Sequence, residues 1–346
     1  MCGRFVASRP ISDIVDVFEI DDVEVPEELT QPRWNIAPQA GVLAVTLRRP
    51  RAARDSESTG DDGNSNESRT RPVSVEAEPD RRGGSSPPAP DEPRGGSSPP
   101  APDEPPGAPL HRRLTSYRWG LVPSWAKEAS FGARAFNARA ESLLDKSAFR
   151  NAVVRRRCLI PADAFYEWEK AGGASHGRGR RARQPWCYRS PDGGPLAFGG
   201  LWEAWKARPD GSAGPGGSAG PGGSSSAGPV GTPPPDGDDP AAVGWHDDWL
   251  LSCTIITTPA NETVAPVHDR MPLVLHPDNW EAWLHPGALE ADELAWLLRT
   301  PPVGLLEAYE VAPEVNASSA EGPQLVQPLA EAAEGSGAGA TEPTLF

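Results

Sequence analysis

A cysteine at position two carries the most specific chemistry in this 346-residue chain. Removal of the initiator methionine, which a small second residue permits, exposes an α-amine and a thiol on adjacent carbons. Their ordinary pKa values, about 7.7–8.0 and about 8.5, make both nucleophiles accessible near neutral pH. Such a 1,2-aminothiol captures an aldehyde as a Schiff base and then closes through sulfur into a five-membered thiazolidine, a ring that neither group forms alone. Position by itself equally fits an incidental cysteine in a loose terminus. Gly3 and Phe5 weigh against that, because Gly3 permits close backbone approach and Phe5 supplies an apolar anchor. Three further residues are chemically competent, each with a plainer alternative. Glu167 sits among Phe165, Tyr166 and Trp168, a setting that raises a carboxyl toward an acid's working range, or it faces solvent on an alternating strand. His268 handles protons or is a loop histidine bonded to Asp269. Asn137 donates and accepts without changing charge, or it caps a helix that follows it.

The elements that position these residues are interrupted. Residues 51–113 hold 12 Pro and 7 Gly, residues 207–246 hold 8 Pro and 11 Gly, and Trp245 is the one aromatic in either. GGSSPPAPDEP occurs at 83–93 and again at 95–105, a low-complexity duplication with no face to bury. Such segments bury too little apolar surface to offset chain entropy, so 51–113, 171–184, 207–246 and the tail 331–346 read as disordered. About 213 residues remain, enough for one domain spanning 1–330. Short helices are expected at 12–20, 139–156, 278–284 and 290–299. Strands are expected around Leu43–Leu47, Leu114–Val122, Arg157–Trp168 and Trp249–Thr258, with a hairpin joining Trp186–Arg189 to Leu196–Trp202 through Pro191-Asp192-Gly193-Gly194. Strands in runs with few helices between them predict an α+β fold with an antiparallel or mixed, barrel-like β core and peripheral helices.

Six pieces in order carry a family resemblance: CGRF at the N-terminus, WNIAPQ at 34–39, RWGLVPSWA at 118–126, FNARAE at 136–141, CLIPADAFYEW at 158–168 and HDRMPLVL at 268–275. Together they resemble the SOS-response-associated peptidase family, proteins that process abasic sites and crosslink to DNA. The resemblance implies a single barrel-like α+β domain with its active site at the mature N-terminus. The implied task is to recognise an abasic site in single-stranded DNA and trap its ring-opened aldehyde on Cys2 as a thiazolidine. It makes Asn137 a neighbour of the adduct, and Glu167 and His268 acid/base groups. It also places Pro38 and Trp125 against the bases beside the lesion, where an aromatic platform tolerates any base sequence, although Trp125 equally suits core packing; Arg4 and Arg139, which flank the chemical groups in sequence, are candidate phosphate clamps. The family's name implies thiol peptidase or self-processing activity as well. An N-terminal-cysteine hydrolase and a non-covalent single-stranded DNA-binding module are the alternatives.

Composition sets limits on these readings. The formal charge is −15, and the 213 residues outside the low-complexity segments carry about −10, so any nucleic-acid site is a local patch. Only Lys127, Lys146, Lys170 and Lys206 are lysines, which leaves arginine to line it. Arg155, Arg156 and Arg157 form a run that extends a DNA path or merely faces solvent. Cys2, Cys158, Cys187 and Cys253 are too far apart in sequence for a zinc pattern or a dense disulfide framework, so neither metal nor cofactor is expected. The absence of an apolar leader or spanning run predicts a cytoplasmic protein without membrane association, nucleoid-associated when bound to DNA and acting as a monomer.

Overall fold

The computed structural model describes residues 2–48, 109–169, 183–207, 244–246 and 248–329. Most of 51–113, 171–184 and 207–246, and all of 331–346, lie outside the described residues. In chain order the first strands are β1 (Arg4–Ala7), β2 (Asp22–Glu24), β3 (Arg33–Ile36), β4 (Gly41–Arg48), β5 (His111–Trp119), β6 (Asn137–Arg139) and β7 (Arg157–Ala162). There follow β8 (Ala164–Trp168), β9 (Pro185–Arg189), β10 (Leu196–Lys206), β11 (Trp245–His246), β12 (Trp249–Pro259), β13 (Arg270–Pro272) and β14 (Glu307–Glu310). The α-helices are α1 (Ile11–Phe18), α2 (Arg150–Arg155), α3 (Trp280–Leu284) and α4 (Ala291–Leu297).

Five strands close on themselves. β12 pairs with β10, β10 with β7, β7 with β4 and β4 with β5, and β5 returns parallel to β12 through Arg118↔Ser252 and Trp119↔Cys253. Closure removes the barrel's exposed edges. β7 is buried at all six positions, because alternate side chains serve two cores. Cys158 and Ile160 join the cluster with Trp119, Phe198 and Cys253, whereas Leu159 packs outward with Val45, Leu201 and Trp283. Helices complete the outer layer: Phe18 of α1 stacks on Trp280 at 4.4 Å, and α2 and α3 lie on β7. This is the α+β architecture with a mixed barrel that the sequence predicts.

A second sheet, in the order β14-β9-β8-β1-β3, lies over one end of the barrel. The chain crosses into it at Asp163, which splits the single strand expected over 157–168. Its carboxylate accepts from the backbone N–H groups of Ser8 (2.6 Å) and Arg9 (3.0 Å) and from Arg9 Nε (2.9 Å), pinning the corner. The expected hairpin over 186–202 is corrected for the same reason: β9 pairs with β8 and β14, β10 pairs with β7 and β12, and the turn between them carries the chain back to the barrel. The helix expected over 139–156 is cut down to its last part. Residues 137–139 form β6 in parallel register with Ile255–Thr257, a single 3-10 turn covers 140–142, and α2 begins only at Arg150. Pairing with β12 overrides helix propensity there. His111–Arg113, placed in the first low-complexity segment by composition, belong to β5, where they face Arg48–Thr46 of β4.

The barrel has two unlike ends. At one lie Gly41, Trp119, Ala162, Leu196 and Pro259, the points where its strands meet β1, β6, β8 and β13. At the other, Arg48 pairs with His111 and Lys206 with Trp249, so the described chain leaves and re-enters there at both long interruptions.

Candidate functional site

Cys2 stands immediately before β1, wholly buried in the cluster that contains Phe5, Phe165, Tyr188 and the barrel residues Trp119 and Ile255. Phe5 anchors it with edge contacts to Trp119 (5.2 Å) and Phe198 (5.9 Å), which ties the N-terminus to the barrel mouth. Asn137 lies opposite, held by the β6–β12 pairing. Its Nδ2 donates to the Cys2 carbonyl at 2.7 Å, while its buried Oδ1 accepts no hydrogen bond from the described residues. The helix-cap alternative for Asn137 is thereby replaced by a contact to the N-terminal cysteine.

Glu167 approaches from β8 and is only 3 % exposed. Burial pushes its carboxyl up to about 8, so it holds its proton at neutral pH. The solvated-strand alternative does not fit that burial. Burial also drives the Cys2 thiol upward, and the Glu167 charge acts in the same direction, which places the two groups within each other's field. His268 Nε2 faces Glu167 Oε2 at 4.0 Å. His268 Nδ1 lies 2.9 Å from the Arg270 backbone N–H and 3.2 Å from both the Arg270 carbonyl and the Asp269 carboxylate, so the loop contact to Asp269 is present alongside the approach to Glu167. The structure thus brings Cys2, Asn137, Glu167 and His268 to one barrel mouth from four separate segments. Chemically, the cluster joins a nucleophile with a carboxyl and an imidazole that can move protons.

The sequence-predicted DNA contacts are distributed around this mouth. Pro38 precedes β4, in a turn where Gln39 adopts a left-handed φ of 75° and accepts from Arg118 at 2.6 Å. Trp125 lies beyond β5, half-buried, with its ring edge-on to Phe131 at 5.3 Å. Its loop starts at Gly120, whose φ of 145° and close approach to Gly132 (2.5 Å from where a Cβ would stand to the Gly132 carbonyl oxygen) exclude a side chain. Arg139 is exposed at the end of β6, two residues from Asn137. Arg4 is engaged internally: its Nη1 donates to Asn35 Oδ1 (2.8 Å) and the Val315 carbonyl (3.1 Å), fastening the C-terminal segment to β1 and β3. The Arg155–Arg157 run sits toward the far end, where Arg156 pairs with Glu203 at 2.8 Å and Arg157 donates to the carbonyls of Trp283, Val153 and Val154.

Sequence reasoning missed two residues beside the site. Arg270 grips Glu141 through both guanidinium nitrogens and reaches Thr257, locking β13 against β12. Tyr188 shares the Phe165 and Glu167 face of the second sheet, a placement that depends on β8–β9 register and has no local signal. Among the described residues no set of three or more His, Cys, Asp or Glu side chains is placed to hold a metal ion, and no helix is long and apolar enough to cross a membrane.

Residues 1–318 match the model of the family described as SOS response associated peptidase (SRAP). The chain belongs to the SRAP family. Abasic site processing protein YoqW of Bacillus subtilis is 28% identical over 327 residues, covering 94% of this chain and 99% of its own. Abasic site processing protein HMCES of Gallus gallus is 27% identical over 223 residues, covering 63% of this chain and 58% of its own. A crystal structure of a Bordetella bronchiseptica protein superimposes with a TM-score of 0.51 at 18% identity, covering 90% of this chain and all of that one, a likeness of fold. The SRAP match runs across both long interruptions, consistent with one barrel whose strands are separated in sequence.

Proposed function

We propose that this SRAP protein captures abasic sites in single-stranded DNA by forming a thiazolidine between the mature N-terminal Cys2 and the ring-opened sugar. The observation that carries the reading is the meeting of Cys2, Asn137, Glu167 and His268 at one mouth, together with relatives named for abasic-site processing. An abasic deoxyribose is mostly a closed hemiacetal. Glu167, protonated at neutral pH, supplies a proton to the ring oxygen as the C1′–O4′ bond breaks and the C1′ hydroxyl loses its proton, giving the aldehyde. The Cys2 amine adds to C1′, and loss of water leaves the imine. Sulfur then bonds to C1′, the C=N electrons pass to nitrogen, and nitrogen gains a proton. Because burial holds the Cys2 thiol protonated, ring closure requires a neighbour to take that proton, a task for ionised Glu167 with His268 beside it. Asn137 fixes the Cys2 carbonyl and presents its second polar atom at the adduct.

Arg139, Pro38 and Trp125 leave the same end of the barrel and serve as phosphate and base contacts on the strand; Arg4 contributes by holding β1 in place. The protein works as a monomer in the cytoplasm and on the nucleoid, and any lyase or peptidase turnover uses the same cysteine.

Incubation with a single-stranded oligonucleotide carrying one abasic site, followed by denaturing electrophoresis, tests the reading. Wild type gives a covalent band and Cys2→Ala gives none. Blocking the α-amine while leaving the thiol free separates capture from thiol hydrolysis: capture is lost, whereas a hydrolase needing only sulfur retains activity. Equal affinity for intact and abasic strands with no covalent product overturns the proposal in favour of simple strand binding.

A further inference from the structure

The second sheet presents two faces by alternation. Phe5, Phe165, Glu167 and Tyr188 point to the Cys2 side, while Val6, Ala164, Tyr166 and Cys187 pack beneath the C-terminal segment. Tyr188 is directly opposite Phe165 in the β8–β9 register, and their rings stack at 4.9 Å with planes 13° apart. Glu167 is the next residue of β8 on that face, so the phenol and the carboxyl are diagonal neighbours. Tyr188 is completely buried, yet its hydroxyl has no hydrogen-bond partner among the described residues. Phenylalanine would preserve the stack and strand nothing. A buried phenol whose hydroxyl is unmet beside an acid/base carboxyl is poorly explained by packing.

We propose that Tyr188 is a positioning residue of the capture site, whose hydroxyl donates a hydrogen bond to the Glu167 carboxylate once Glu167 has given up its proton. This rests on the capture reading above. Each proton that Glu167 delivers leaves a charge in a buried place, and such a charge needs a donor at the moment it forms. The phenol suits the task because burial, with the Glu167 charge next in weight, raises its own proton affinity above the usual tyrosine range; it therefore donates without ionising. The groups facing Glu167 are Cys2 from the N-terminus, His268 and Asp269 from the segment before β13, and Tyr188 from β9. Cys187 and Glu169 also act on Tyr188.

The test is Tyr188→Phe, read by the pH–rate profile of crosslinking to abasic single-stranded DNA and by thermal unfolding across the same pH range. Glu167→Gln identifies the limb of each profile that belongs to Glu167. Tyr188→Phe is expected to unfold at the wild-type temperature or higher below pH 6, where Glu167 is protonated. It should crosslink about tenfold more slowly near neutral pH, as loss of a hydrogen bond to a charged group implies. The Glu167 limb should move up by about one pH unit in both measurements, since the ionised form has lost its donor. A variant with wild-type rate and an unmoved limb overturns the inference. So does one that unfolds at a lower temperature with no shift of the limb, which marks a packing role only. Unfolding needs no DNA, so a wild type that fails to crosslink refutes the capture reading separately, while an unmoved unfolding limb refutes the role of Tyr188.

Discussion

Two buried glutamates at opposite ends of the barrel have contrasting surroundings. Glu203, toward the far end, is 4 % exposed and burial pushes its carboxyl up to about 7; Arg156 holds both its oxygens, at 2.8 and 2.9 Å. Glu167, at the site end, is equally buried and pushed up to about 8, but faces His268 at 4.0 Å. Nearby, Asn137 Oδ1 and the Tyr188 hydroxyl lie buried without partners among the described residues. Around Glu203 the cations are occupied: Arg48 and Arg156 lie over Trp202 at 4.4 and 5.7 Å, and Arg157 is bound to backbone carbonyls. At the far end Glu203 and the arginines around it are paired and hold the fold, although Thr46 Oγ1 on β4 is also buried without a partner among the described residues; at the site end Asn137 Oδ1 and the Tyr188 hydroxyl are open to a visitor.

That contrast can be broken from either side. Glu167→Gln should cost 10²–10⁴-fold in the crosslinking rate, about the worth of one general acid–base group, while leaving the protein at least as stable in denaturant unfolding. Arg156→Ala should do the reverse: it strands a buried carboxylate, destabilises the protein by about 3 kcal/mol in urea unfolding, and leaves the crosslinking rate of the folded fraction unchanged. A third, smaller effect follows from pH. Both carboxyls are raised from 4.5, so the stability they contribute is fully present below about pH 4.5 and is lost as pH rises through about 7 for Glu203 and about 8 for Glu167. Melting curves across that range should lose their upper step in Glu167→Gln and their lower step in Glu203→Gln. The smallest effect is expected from removing the long interruptions. Arg48 faces His111, and Lys206 faces Trp249, so short turns can rejoin both strand pairs at the far end. Replacing 51–108 and 208–243 in this way should leave crosslinking within a factor of two; a larger loss in a folded protein would give those segments a part in the site.

Cys2 was legible in sequence from its type and position, whereas Glu167, His268 and Asn137 each had a plainer local reading and were singled out by the motifs that carry the family resemblance. Barrel-like strands were legible too, through β-branched and aromatic runs such as Trp249–Thr258. The corner at Asp163 was not, since 157–168 is apolar throughout and a strand buried on both faces shows no period. Nothing local reports that Ser8 and Arg9 will hold that aspartate and send Glu167 across the barrel mouth. The same holds for Asn137, whose surroundings favour a helix until β12 supplies a partner, and for Tyr188, which meets Glu167 only through inter-strand register. Arg4 shows what residue type leaves out: its charge suggests phosphate, and its Nη1 also fastens Asn35 and Val315, a role that only the folded chain reveals.

Intact-protein mass spectrometry of the wild type, with and without an abasic single-stranded oligonucleotide, tests the central claim most directly. The free protein should lack Met1, and the complex should equal that protein plus the oligonucleotide less one water and be absent from Cys2→Ala. A free chain that retains Met1 with no adduct, or an adduct that persists in Cys2→Ala, would contradict it.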